Sequence, residues 1–175
     1  LAGAGAFSIS NSVQSFTALA DSIDKAAIRA GVGVGALQSL RLAAELGGMS
    51  TEQMDSALAK LSYTMGQAAR GENKNLAYLF NQLGIKLKGA NGEVRNGAVV
   101  MRELAEAIRL NESPSTRLQI LTAAFGDDLA KMLIPVLQDG AAGLDAAARK
   151  AQELGIVLSN ETIKAGTKLT DTFSI

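Results

Sequence analysis

The stretch from Leu46 to Gly71, "LGGMSTEQMDSALAKLSYTMGQAARG", contains two helix boundaries and the amphipathic run between them. Gly47 predicts the end of one helix at the C′ position, because a residue without a Cβ adopts positive φ at little cost. Ser50 predicts the start of the next helix, and Gln53, three residues later, completes a capping box. The stretch therefore predicts two consecutive helices separated by a short turn.

The run after Ser50 is apolar along one side. Its apolar side chains recur at the three- and four-residue spacing of one helix face: Met54, Leu58, Leu61, Met65 and Ala68. Glu52, Asp55 and Arg70 fall on the other sides and are predicted to face water. This helix is therefore predicted to pack one face against a core.

The same combination of caps and apolar faces recurs along the chain and predicts about eight short helices. They span residues 10–30, 36–46, 51–70, 73–83, 99–110, 114–125, 127–138 and 144–154, and a last one begins after Ser159. Three Leu-Gly pairs mark helix ends: Leu46-Gly47, Leu83-Gly84 and Leu154-Gly155. Pro135 is predicted to kink or split its helix, and Asn91-Gly92 predicts a tight turn. The predicted fold class is all-α, a cluster of about eight short helices with at most one small β-hairpin.

The predicted organisation has three parts. Residues 1–30 form an N-terminal helical arm, residues 31–160 a compact helical domain, and residues 161–175 the start of a further helix. The chain begins with "LAGAGAFS", without an initiator Met, and is expected to be a piece of a longer polypeptide.

The composition limits the chemistry that the chain offers. Hydrophobic residues make up 47% of the 175 residues and aromatic ones 4%, so the core must be aliphatic. The absence of Cys and His removes thiolate nucleophiles, Cys-ligated zinc and the commonest general base. Because 17 basic and 17 acidic residues cancel, no electrostatic footprint for nucleic acid or an acidic membrane is visible. We predict no catalytic residue, no cofactor and no metal, and therefore no enzyme.

Two sequence patterns resemble functional motifs. Gly31-x-Gly33-x-x-Ala36 loosely matches a dinucleotide-binding motif, but a predicted helix precedes it where that motif needs a strand. We interpret it as a joint between helices. The two helices joined by "GGMS" are arranged like a helix-turn-helix, but Gln53, Ser56 and Lys60 stand beside Glu52 and Asp55. Two helices packed in a core are favoured over sequence-specific recognition of DNA.

The charged residues also have structural interpretations. Asp127-Asp128 begins a helix, where carboxylates stabilise exposed N–H groups, and this role is favoured over catalysis by carboxylates alone. A solvated charged face is predicted from Arg102, Glu103, Glu106 and Arg109. Pairs at i,i+4 spacing are predicted between Asp145 and Arg149 and between Arg149 and Glu153.

The order of short phrases from Ile28 to Phe173 resembles a stretch of tail tape measure proteins of long-tailed bacteriophages and prophages. The phrases are "LAAELGGMS" (42–50), "LGI" (83–85), "NG" (91–92), "AFGDD" (124–128), "LIPVLQDG" (133–140) and "LGIVLSNE" (154–161). Residues before about 25 match in their small, apolar character alone. The resemblance implies a helical virion protein around which the tail tube polymerises, which governs tail length and leaves the tube during genome delivery.

The resemblance also implies partners and a location. The expected partners are tail tube, tail tip or tail assembly chaperone proteins, with self-association into a homo-oligomer as a further option. No sequence-specific nucleic acid is expected, and membrane contact would involve segments outside this chain. The expected location is the phage tail lumen, and the host cytoplasm during assembly. The alternative is a helical binding or adaptor module of another long polypeptide, such as a secreted toxin.

Overall fold

The computed structural model describes residues 3–173. Within that span it contains nine α-helices and no β-strand, which confirms the predicted all-α class. The helices are α1 (Gly3–Ala30), α2 (Val34–Leu46), α3 (Thr51–Ala69), α4 (Lys74–Gln82), α5 (Gly97–Leu110), α6 (Pro114–Phe125), α7 (Asp127–Leu137), α8 (Gly140–Glu153) and α9 (Asn160–Phe173).

The start of α3 has the predicted capping box. The backbone N–H of Gln53 donates to the Ser50 hydroxyl at 3.2 Å, and the Ser50 N–H donates to Oε1 of Gln53 at 2.9 Å. Side-chain caps also begin α4 at Asn73, α6 at Ser113 and α9 at Ser159. Each bond joins residues three apart, so these starts are determined locally.

The end of α2 differs from the prediction by one residue. Gly47 has φ −87°, and Gly48 holds the left-handed conformation with φ +84°. The N–H of Met49 donates to the Ala44 carbonyl at 2.8 Å, which closes the helix end as a Schellman motif. The two other Leu-Gly pairs behave as predicted, with positive φ at Gly84 and Gly155.

Gly47 instead allows α7 to approach the end of α2. A Cβ at residue 47 would lie 2.6 Å from Cγ2 and 2.9 Å from Cα of Val136. Both distances are shorter than atomic contact allows, so the backbone of Gly47 itself packs against α7.

The core is built around α3, which packs against α1, α2, α4, α5 and α6. All five residues of its predicted apolar face are buried, including Leu58 and Leu61 at 0% exposure. Buried apolar side chains of other helices fill the space around it: Leu37, Leu76, Phe80, Val100, Leu104, Ile108, Leu121, Phe125, Leu133 and Leu137. Met132 of α7 is 39% exposed.

Two predicted irregularities are smaller than expected. The hairpin around Asn91-Gly92 is reduced to one antiparallel bridge, between Lys88 and Val94, closed by a turn in which the Gly92 N–H donates to Gly89 at 3.0 Å. Pro135 does not split α7, which ends two residues later, at Leu137. So close to the helix end, a proline disturbs few intrahelical hydrogen bonds.

The first and last helices pack against each other. A Cβ on Gly166 of α9 would lie 2.6 Å from Cβ of Ala20, so the two backbones approach closely. From Ala20 to Ala30, α1 contributes to the same core as the other helices, whereas Val13, nearer its start, is 36% exposed. The predicted boundaries at residues 30 and 160 stay a prediction.

Candidate functional surfaces

The buried polar side chains have structural partners. Thr17, Gln38 and Thr64 are the buried polar residues of the described chain, and each donates to a backbone carbonyl. No buried side-chain nitrogen or oxygen in this part of the chain lacks a hydrogen-bond partner. Nor do the described residues include a cluster of Asp, Glu, His or Cys that could hold a metal ion.

The charged face of α5 binds neighbouring segments and is not simply solvated as predicted. The guanidinium of Arg95 donates to both carboxylate oxygens of Glu103, at 2.6 and 2.9 Å. The guanidinium of Arg102 likewise makes a bidentate pair with the carboxylate of Asp145 in α8, at 2.7 and 2.9 Å. These ion pairs join α5 to the segment before it and to α8.

The Arg102–Asp145 pair replaces the helical pair predicted for Asp145. Hydrogen bonds from Arg102 hold the pKa of the Asp145 carboxyl below its ordinary value, and the charges of Arg102 and Arg149 lower it further. The i,i+4 prediction was wrong about the main partner, because a side chain on a packed helix also meets the helix beside it.

Glu106 stabilises the start of α8 from across the helix interface. Its carboxylate accepts from Arg109 at 2.5 Å and from the backbone N–H of Ala141 at 3.3 Å. The bond from Arg109 first, and then that from Ala141, lower the pKa of Glu106. A general acid working near neutral pH needs a raised carboxyl pKa. The geometry at Glu106 therefore suits helix capping.

Several polar groups of the α2–α3 pair are engaged within the protein, whereas Lys60 is exposed. Arg41 donates to Asp55 at 2.6 and 2.8 Å, so Asp55 does not face water freely as predicted. The amide of Gln53 is held in the capping box. A recognition helix needs such groups free for base edges, and here they connect α3 to itself and to α2.

The remaining candidates lie on different elements of the fold. Asp127 and Asp128 are exposed in the first turn of α7, where carboxylates interact favourably with the positive end of the helix dipole. Gly31 and Gly33 lie in the joint between α1 and α2, so a helix stands where a dinucleotide motif needs a strand. The structure therefore does not bring the candidates together into one site.

Two surface grooves were not predicted. One, of about 530 Å³, lies between α3, α4 and residues 84–88, with Ala68, Ala77 and Ile85 in its walls and Lys86 and Lys88 beside them. The other, of about 240 Å³, lies between α1, α2 and the segment before α9. It includes Leu19 and Ile156, which are 50% and 45% exposed. The second groove joins segments more than 100 residues apart, so no local pattern marks it.

Gln38, beside the second groove, is the residue whose role the sequence interpretation missed. It is 6% exposed in α2 and binds the backbone of Leu158, 120 residues later. A signal did exist, because Gln38 lies four residues after Val34 and one after Leu37, on the buried side of the helix.

Neither the helices nor the comparisons identify a protein class. None of the helices described within residues 3–173 combines the length and the apolar character needed to cross a bilayer. Comparisons with protein-family models, curated proteins and solved structures find no match to this chain.

Proposed function

We propose that this chain is a folded helical domain of a phage tail tape measure protein. The observation that carries the proposal is the order of sequence phrases between Ile28 and Phe173, which resembles that family. The all-α fold is compatible with a mostly helical tail protein. The polar interactions found at the candidate residues are helix caps and ion pairs, which suit a structural role.

Within such a protein, this domain acts as a folded station, meaning a domain that stays compact at one position along the extended chain. It is not part of the measured length. A continuous helix rises about 1.5 Å per residue, so 175 residues would extend roughly 260 Å. A compact chain of this length has a radius of gyration of about 16 Å. The helix ends at Gly48, Gly84 and Gly155 interrupt a continuous helix. The domain therefore adds little to tail length and serves assembly or release.

The partners follow from this role. Tail tube, tail tip or assembly chaperone proteins would bind the outer surface of the domain, and copies would associate with one another inside the tail. The domain would reside in the tail lumen of the virion, after assembly in the host cytoplasm. It would perform no catalysis and read no nucleic-acid sequence.

An in-frame deletion in the parent gene tests the proposal. Removing residues 50–159, which number 110 by inclusive count, takes away most of the fold. We expect tail assembly or infection to fail, because a folded station is lost. The matched control deletes 110 residues from a part of the same protein predicted to be continuous helix, and should give tails shorter by about 165 Å.

Electron micrographs of the two deletion strains distinguish the outcomes. Intact, infectious tails that are about 165 Å shorter after deletion of residues 50–159 would show that this segment contributes to the measured tail length. Tails of normal length and normal infectivity would show that the segment is not needed as a station.

A further inference from the structure

Gln38 clamps the segment between α8 and α9 through its side-chain amide. Nε2 of Gln38 donates to the Leu158 carbonyl at 3.1 Å, and the Leu158 N–H donates to Oε1 at 2.9 Å. Nε2 also donates to the carbonyl of Val34 at 3.0 Å within α2. One buried side chain therefore satisfies both backbone groups of a residue 120 positions away.

The clamped segment has few other backbone attachments, although the side chain of Leu158 packs against the core. Gly155, with φ +66°, ends α8, and residues 156–159 have no regular secondary structure before α9 begins. The N–H of Ile156 closes the end of α8 by donating to Ala151 at 3.0 Å. Ile156 is 45% exposed, whereas Gln38 is buried. The clamp is therefore the main backbone attachment between the end of α8 and the start of α9.

The helix beyond the clamp contributes little to the core. Of the described residues in the core cluster, Ile163 alone comes from α9. The extensive packing of α9 is with α1, where Gly166 approaches Ala20 and Phe16. Among the side chains that the structure describes, no ion pair joins α9 to another helix: the pairs present are Lys25–Asp21, Arg41–Asp55, Arg70–Glu72, Arg95–Glu103, Arg102–Asp145 and Arg109–Glu106.

We propose that residues 156–172 open from α1 as one unit while α1 to α8 stay folded, and that the Gln38 clamp holds this unit closed. Regions with few buried apolar contacts open at a lower free energy than the core. Opening removes Ile163, the packing of Leu158 and the clamp from the folded state and leaves the core around α3 intact. It uncovers the face of α1 that contains Phe16 and Ala20. The proposal holds whether or not the chain belongs to a tail protein.

Amide hydrogen exchange of the 175-residue chain tests the opening in the wild type. We expect amides of residues 163–172, which have intrahelical acceptors, to exchange with a common protection at least about tenfold weaker than that of α3. Equal protection in α9 and α3 would overturn the proposal. So would protection that declines gradually toward residue 172, because that pattern describes fraying of a helix end.

Gln38→Leu tests the clamp, since leucine keeps a comparable volume without the amide. We expect faster exchange at residues 163–172, by about tenfold, and unchanged exchange in α3 and α5. The matched control is Gln119→Leu on α6, where the side chain is exposed; it should leave α9 unchanged. Equal acceleration in α9 and α3, or none in α9, would refute a clamping role. If Gln38→Leu does not fold, the clamp is essential to the whole fold and the proposed independent opening is refuted.

Discussion

Gly47 and Gly48 are adjacent glycines with different physical requirements. Gly48 occupies a left-handed conformation, φ +84°, and no atom lies within 4 Å of the place that a Cβ would take. Gly47 has ordinary backbone angles, but Val136 fills the space that its side chain would need. One glycine therefore serves the turn, and its neighbour serves the contact between α2 and α7.

We expect Gly47→Ala to destabilise the protein by about 1–3 kcal/mol, as overpacking of a tight contact does. The clash involves the backbone of Val136 as well as its side chain, so a rotamer change cannot relieve it. The measurement is the free energy of unfolding in urea.

Gly35→Ala is the matched control for this substitution. Gly35 lies within α2, and a Cβ there would meet Val157 at 3.8 Å, an ordinary van der Waals contact, so its unfolding free energy should fall by less than about 0.5 kcal/mol. An equal loss of stability in the two variants would mean that the contact with Val136 is not the cause.

At the scale of the element, α3 shows how an apolar face becomes the centre of a fold. Its two central leucines, Leu58 and Leu61, are completely buried, and four other helices besides α2 pack around it. We expect Leu58→Ala and Leu61→Ala each to lower the free energy of unfolding by about 2–4 kcal/mol, through lost burial and the cavity left behind. Urea unfolding followed by circular dichroism measures both.

Leu110→Ala is the matched control for the two α3 variants, because it truncates an exposed leucine instead of a buried one. Leu110 is 64% exposed at the end of α5, so its truncation should cost less than about 0.5 kcal/mol. Urea midpoints that stay unchanged for both α3 variants would contradict the placement of this face in the core.

The elements that the sequence predicts are those whose determinants lie close together in the chain. The capping bonds at Ser50 and Ser159 join residues three apart, and the face of α3 repeats within one helix. By contrast, the Arg102–Asp145 pair spans 43 residues and the Gln38–Leu158 clamp spans 120. Such partners depend on how helices pack, which local periodicity does not specify. The packing role of Gly47 was missed for the same reason, because Val136 is far away in sequence.

At the scale of the whole molecule, the charges predict how stability depends on pH. Hydrogen bonds and nearby cations lower the carboxyl pKa of five described residues: Glu52, Glu72, Glu106, Asp145 and Glu161. A carboxyl whose pKa is lower in the folded state stabilises the fold above its unfolded pKa. That contribution to stability is lost as the pH falls through the pKa of the carboxyl in the folded state.

We therefore expect the urea midpoint to be nearly constant between pH 8 and 6 and to fall as the pH drops below about 4.5. The chain contains no histidine, so no side chain with an ordinary pKa between 5 and 8 contributes to the upper range. A marked loss of stability between pH 8 and 6 would contradict this assignment.

The close approach of Gly166 to Ala20 also constrains how this fold can change during evolution. A glycine inside a helix costs about 1 kcal/mol relative to alanine, so selection would favour its replacement if the site were free. A Cβ at residue 166 would meet Ala20 at 2.6 Å. Both positions should therefore keep small residues in diverged sequences that retain the packing of α9 against α1. Lineages with a larger residue at either position should place α9 differently.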